Sequence, residues 1–267
     1  MDNRAIGVFD SGVGGITVLR EMIKVVPDES TIYFGDTERF PYGPRDLNEV
    51  KKFVFKITRF LYDKDVKLLV IACNTSTAAA LNDLKQRYDI PIIGVIEPGA
   101  RTAVYNTRNK KVGVIATKGT VESNAYRDEI ARIDPDIKTF SVPAPLLVEF
   151  IEKGILEGTR LDKTISGYLK PLFNAGIDVL ILGCTHFPLI EKNILSCSGN
   201  GFKVISSAVE TAKDVKKMLV ERGLCADKEK EPERIFYETG MRSNFFEVGK
   251  MFLGEEIKEV IRTKLDI

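Results

Sequence analysis

Two cysteines stand where a thiol can serve as an acid or a base. Cys73 ends the apolar run VKLLVIAC (66–73) and is followed by Asn74, Thr75 and Ser76, then by the helix-forming stretch TAAALNDLKQRY (77–88). A residue at the carboxyl end of a strand, beside a helix start, lies where open α/β sheets bind ligands. The free N–H groups and dipole of that helix favour a thiolate, so the Cys73 thiol is expected below its free value of about 8.5. Cys184 repeats the setting: it ends DVLILGC (178–184) and precedes Thr185, His186, Phe187 and Pro188, the proline suiting the first turn of a following helix. His186 is the only histidine in the chain. A free cysteine is most often a buried apolar residue, and either one alone fits that description. Two in matched settings fit it poorly. Cys197, in ILSCSGNG, and Cys225, in RGLCADKE, lack the setting and read as structural or incidental.

Two further stretches carry ligand-binding chemistry. Asp10-Ser11-Gly12-Val13-Gly14-Gly15 ends the first apolar run, and a carboxylate followed by glycines places backbone N–H groups and the Ser11 hydroxyl around an anion. A dinucleotide loop is the competing reading, but Gly12 and Gly14 would then require Gly or Ala where Thr17 stands. FGDTERFPYGPR (34–45) reads as a turn-rich loop over the same sheet edge. Within it Tyr42, through its phenol, and Gly43, through an approachable N–H, are the better binding candidates, while Glu38 and Arg39 read as plain surface.

The elements that must position these residues follow from the hydrophobic pattern. Short apolar runs at 5–10, 31–36, 66–73, 90–96, 111–117, 178–184 and 202–207 alternate with helical periodicity, as in ITVLREMIKVV (16–26) and NEVKKFVFKITRFLYDK (48–64). Near-continuous apolar strands alternating with helices predict a doubly wound parallel sheet covered on both faces, an α/β fold. A weak internal repeat divides it. Ile6-Gly7-Val8 and Val112-Gly113-Val114 open similar strands, and the two strand–Cys–turn–helix units place their cysteines 111 positions apart. The expectation is two similar doubly wound lobes related by a pseudo-two-fold, with the active site in the cleft between them. The first takes residues 1–96 and 209–267, the second 97–208. The C-terminal part, helical over 209–222 and 243–264, packs back on the first lobe.

Composition narrows the partner. The chain has 267 residues, enough for two small domains, with 39 basic and 38 acidic side chains. A surface for nucleic acid or an anionic membrane would need a basic excess, so a small molecule is the expected ligand. The N-terminus MDNRAIGVFDSGVGG has no long apolar stretch, and no window has the roughly 18–20 apolar residues of a membrane helix. A cytoplasmic protein is expected, in which four cysteines are not structural disulfides.

Several chemistries remain open on these residues. A thiolate on one face of a substrate carbon and a thiol on the other would remove a proton and return one, which is racemisation. A Cys/His hydrolase built on Cys184 and His186 leaves the matched Cys73 without a role. A zinc site of Cys73, Cys184 and His186 has the right ligand types but lacks the short Cys-x-x-Cys pairing of a structural site. A two-lobed binding protein shares the architecture but leaves the matched cysteines unexplained.

GVFDSGVGG (7–15), FGDTERFPYG (34–43), IACNTSTAAAL (71–81), GVIATKGTVES (113–123) and LILGCTHFPLI (180–190) together resemble the glutamate racemases of the aspartate/glutamate racemase superfamily. The resemblance runs from residue 6 to about 212. CNT and GCTH are motifs of the superfamily; DSGVGG and the PYG loop are narrower. The resemblance implies interconversion of L- and D-glutamate without pyridoxal phosphate or other cofactor, D-glutamate supply for peptidoglycan, and a homodimer. It implies Cys73 and Cys184 as the acid/base pair, Asp10 assisting the first and His186 the second. It further implies substrate contacts from Asp10, Ser11, Pro41, Tyr42, Gly43, Asn74, Thr75, Thr185 and His186, and from the two cysteines. An assisting glutamate falls in PLLVEFIEKG (145–154), where Glu152 has the better spacing to His186 and Glu149 competes.

Overall fold

A computed structural model describes residues 1–199, 201–240 and 245–265. The chain opens as alternating strands and helices: β1 (Ile6–Asp10), α1 (Ile16–Val25), β2 (Thr31–Gly35), α2 (Leu47–Tyr62), β3 (Leu68–Ile71), α3 (Asn74–Arg87) and β4 (Ile92–Gly94). Every residue of these four strands is buried, as sheets covered on both faces require. Helix α2 starts where the Asp46 carboxylate accepts from the N–H groups of Asn48 and Glu49, a side-chain cap.

The chain then builds a second set: α4 (Ile96–Asn106), β5 (Lys111–Ala116), α5 (Lys118–Glu122), α6 (Ala125–Ile133), β6 (Lys138–Pro143), α7 (Pro145–Glu152), α8 (Thr159–Ala175), β7 (Val179–Gly183), α9 (Glu191–Ser198) and β8 (Lys203–Ser206). It returns through α10 (Ser207–Glu221), whose Ala208, Ala212, Val215 and Leu219 join a core with Ile6, Val8, Leu68 and Val70. The tail adds β9 (Arg234–Glu238), α11 (Phe245–Leu253) and β10 (Ile261–Arg262).

Two parallel sheets result, β10-β9-β2-β1-β3-β4 and β6-β5-β7-β8. Setting aside the two tail strands, both sheets have the same order: second, first, third, fourth. Cys73 and Cys184 follow the third strand of their respective sets. Register brings the loops after the central strands together. Phe9 pairs with Ile71, so Asp10 ends beside Cys73, and Ala116 pairs with Gly183, so Thr117 ends beside Cys184. Each sheet thus delivers two adjacent strand ends to the cleft.

Three local expectations change. The run over 90–96 pairs only at Ile92–Gly94, and Ile96 already begins α4, with Glu97 and Pro98 in its first turn. The helical reading of 243–264 holds for α11, which ends at Gly254 (φ +59°); a 3₁₀ turn and β10 follow, and residues 243 and 244 lie outside the described residues. Strands β6 and β9 were not expected, because KTFSVP and RIFYE are short and flanked by charges. Among the described residues, no helix is long and apolar enough to cross a membrane.

Candidate active site

A cavity of about 560 Å³ opens at the carboxyl ends of both sheets. Its wall on the first-sheet side includes Asp10, Ser11, Pro41, Tyr42, Gly43, Cys73, Asn74 and Thr75. Cys184, Thr185, His186 and Glu152 face them from the second. All the side chains singled out in the sequence therefore line one space.

Cys73 is the N-cap residue of α3, and its sulfur accepts from the Ser76 N–H at 3.5 Å. The Ser11 hydroxyl is 3.9 Å from it. Asp10 is fully buried; its Oδ1 accepts from the Ser11 N–H at 2.6 Å and its Oδ2 from the Thr185 hydroxyl at 3.0 Å. Burial pushes the Cys73 thiol up to about 12, and the negative charge of Asp10 adds to the rise. This reverses the expected depression. The Ser76 N–H does pull the value down, but one amide dipole is outweighed by desolvation and a neighbouring carboxylate. Cys73 is therefore a neutral thiol.

Cys184 has different company. A turn and a 3₁₀ helix (Phe187–Ile190), not an α-helix start, follow it, so no α-helical N-cap supports this sulfur. The support comes from His186, whose Nδ1 is 3.7 Å from the sulfur and whose Nε2 is 2.6 Å from Glu152 Oε1. Burial alone would lower the imidazole, yet the hydrogen bonds and negative charges of Cys184 and Glu152 hold it well above its usual value. As an imidazolium His186 donates from both nitrogens, one to the sulfur and one to the carboxylate. Glu149 also lines the cavity, but it is Glu152 that reaches the histidine. The turn seats closely on the Asp10 loop: a Cβ on Gly14 would lie 2.6 Å from His186 Nδ1 and from Thr185 Oγ1, so only glycine fits there without displacing them.

The 36–45 loop is held from beneath. Fully buried Asp36 accepts from the Tyr42 hydroxyl, from Arg39 Nη1 at 2.8 Å and from the Thr239 hydroxyl at 2.7 Å. Two earlier readings change with this. The Tyr42 phenol is committed to the loop's own support, and burial with the Asp36 charge holds it protonated far above its usual range. Arg39 is not plain surface: it is buried, paired with Asp36 and stacked over the Phe53 ring. The loop also touches the other sheet's side, where Gly43 O accepts from the Gly119 N–H at 2.8 Å.

Sequence reasoning missed Thr117, Thr120 and the two lysines of the rim. The hydroxyls of Thr75, Thr117 and Thr120 form a mutual cluster, with Thr75 and Thr117 at 2.9 Å, and Thr117, Lys118 and Lys153 line the cavity. The signal was available: TKGT follows β5 as SGVGG follows β1, so the repeat that matched the cysteines also matched these two loops.

Residues 6–215 match the family model of Asp/Glu/hydantoin racemases. A glutamate racemase from Corynebacterium diphtheriae is 44% identical over 97% of this chain and 98% of its own length. Among solved structures, a glutamate racemase isoform from Bacillus anthracis superposes with a TM-score of 0.95 at 42% identity, covering 99% of both chains. The glutamate racemase of Francisella tularensis, solved in complex with D-glutamate, gives 0.93 at 37% identity over 100% of this chain and 99% of its own.

Proposed function

This chain belongs to the Asp/Glu/hydantoin racemase family, and we propose that it interconverts L- and D-glutamate with Cys73 and Cys184 as opposed acid and base. One observation carries the reading. Two thiols end topologically equivalent strands and line one cavity, the first beside Asp10 and the second beside His186. In this reading the sulfur that faces His186 serves as the base toward one enantiomer, and the neutral thiol of Cys73 is the acid. One takes the Cα proton from its face of the substrate while the other returns a proton on the opposite face. The product enantiomer leaves the charges exchanged, with Cys73 anionic and Cys184 neutral, which is the state ready for the reverse reaction.

A Cα–H is a weak acid, and no imine spreads the charge in this reading. Stabilisation falls to donors aimed at the substrate α-carboxylate as negative charge develops. The free N–H groups at the start of α3, and those of the loop after Asp10, supply donors of that kind. Both substrate carboxylates are held chiefly by neutral donors: Ser11, Asn74, Thr75 and Thr185, with the main chain of Tyr42 and Gly43. The product supplies D-glutamate for peptidoglycan, and the assembly is a homodimer, as the sequence resemblance implies.

The test is Cα deuterium exchange in heavy water with L- and D-glutamate, L- and D-aspartate as controls, a chelator present and no added cofactor. Exchange with inversion on both glutamate enantiomers, and little on aspartate, is expected. No exchange into glutamate, or faster exchange into aspartate, sinks the reading.

A further inference from the structure

A buried chain of hydrogen bonds joins the neighbours of the two cysteines. Asn74, which follows Cys73, donates from Nδ2 to the Tyr126 hydroxyl at 2.8 Å. The Tyr126 hydroxyl is 3.0 Å from Ser207 Oγ, and Ser207 Oγ is 3.4 Å from the carbonyl of Leu182, two residues before Cys184. A carbonyl only accepts, so the direction of every link is set. Ser207 donates to Leu182, Tyr126 donates to Ser207, and the Tyr126 oxygen accepts from Asn74. The Asn74 amide is thereby locked, with its Oδ1 and its second amide hydrogen left for the cleft that it lines.

Tyr126 meets the other cysteine through packing. A Cβ on Gly183, the residue before Cys184, would lie 3.0 Å from Tyr126 Cε2, so the ring rests on the backbone of that strand end. Tyr126, Asn74 and Ser207 are all buried. An independent feature protects the chain's geometry. Gly99 sits inside α4, where glycine is a poor helix former. A Cβ there would lie 2.8 Å from Ser207 Oγ and 3.6 Å from the Tyr126 hydroxyl. The helix keeps its glycine where Ser207 needs the room.

We propose that Tyr126 is a positioning residue that sets the spacing of the two cysteine-bearing strand ends, acting through Asn74 on one side and through Gly183, Ser207 and Leu182 on the other. The proposal rests on the two-thiol reading. Because Tyr126 touches the neighbours of both thiols, its loss acts on both halves of the reaction alike.

Tyr126→Phe keeps the ring and removes the hydroxyl. It is expected to lower kcat by about tenfold, the scale of one buried hydrogen bond left unmade, and by the same factor from L- and from D-glutamate. Gly99→Ala deletes no hydrogen-bonding group and improves helix propensity, yet it is expected to give the same symmetric fall without a lower melting temperature. Ser207→Ala combined with Tyr126→Phe is expected to be no worse than Tyr126→Phe alone, because one break already opens the chain. The proposal is overturned if Tyr126→Phe lowers only the melting temperature, or if it slows one direction alone. Iodoacetamide alkylation of Cys73 and Cys184, read by peptide mass, needs no substrate. Tyr126→Phe is expected to shift both rates, and unchanged rates would also overturn the proposal. An unaltered enzyme that alkylates as expected but does not racemise glutamate would instead sink the racemase reading.

Discussion

The ends of β3 and β7 carry the same atom in opposite electrical company. At the first, Cys73 has a helix N–H at 3.5 Å and a buried carboxylate beside it, and the thiol stays neutral. At the second, Cys184 lacks an α-helix start and has an imidazolium backed by Glu152. The backbone repeat therefore supplies symmetry of position, while the side chains around each sulfur differ. A racemase needs both. In the proposed mechanism symmetric placement would present a sulfur to each face of one carbon, and unequal surroundings would give the two sulfurs different roles. Two identical environments would tend toward two thiols or two thiolates, and neither state can start the reaction.

Cysteine replacement is the most drastic way to break this comparison. Cys73→Ser and Cys184→Ser are each expected to lower racemisation by about 10³-fold or more, since a hydroxyl is a far poorer acid and base near neutral pH. Each variant keeps one thiol and can still eliminate a good leaving group from a β-substituted glutamate analogue. The two are expected to prefer analogues of opposite Cα configuration. If both process the same enantiomer, the sulfurs do not face opposite sides of the substrate.

The neighbours test the electrical half. Asp10→Asn and His186→Asn are each expected to reduce kcat by about 10–100-fold in one direction and much less in the other. Enantiomers have an equilibrium constant of one, which ties kcat/KM of the two directions together, so the difference is read in the separate kcat values and in solvent deuterium isotope effects. Equal slowing by both variants would remove the assigned pairing of each neighbour with its own thiol.

Resting charge is a smaller and more direct readout. Near pH 8 iodoacetamide is expected to alkylate Cys184 at least about tenfold faster than Cys73, whose thiol is pushed up to about 12. Peptide mass separates them from Cys197 and Cys225. The histidine also links to stability. Its folded value is raised, so its contribution is complete below the unfolded value of about 6.5 and fades as pH rises through the folded one. His186→Asn is expected to remove that decline from the melting temperature between pH 6.5 and the folded value. Faster alkylation of Cys73, or an unchanged pH profile of melting, would contradict the charge assignment.

Least of all is expected from the rim lysines. Lys118 is 60% exposed, and its pairing with Glu122 at 3.7 Å is screened by solvent. Lys118→Met and Lys153→Met are expected to raise KM for either enantiomer less than about threefold. A tenfold rise would show a cationic clamp where neutral donors are proposed.

The alternation of apolar runs with helical periods gave the α/β class, because strands buried on both faces leave an unbroken apolar record. The cysteines, the Asp10 loop and His186 were legible because each follows such a run. Other features left no such record. Neither the reversal at Cys73 nor the commitment of Tyr42 to Asp36 follows from local spacing: the first depends chiefly on burial, with the Asp10 carboxylate adding to it, and the second on a carboxylate buried beneath the loop. Glu152 had a spacing argument but a competitor three residues away, and only the turn of α7 decides which carboxylate reaches the imidazole. Strand β9 was missed because its pairing partner, β2, lies at the far end of the chain, and RIFYE has little apolar weight of its own.

That distant pairing bears on how the chain is made. Glu233, just before β9, bonds to Ser30, just before β2, across 203 residues. At ~5–20 residues per second a ribosome takes about 10–40 s to cover that distance. For all of that time the outer edge of TIYFG, an apolar strand with every residue destined for burial, has no partner. An unpaired edge of this kind templates pairing between nascent chains. Products that end before Arg234 are therefore expected in the insoluble fraction rather than as smaller enzymes, although every residue of the candidate site has already been synthesised.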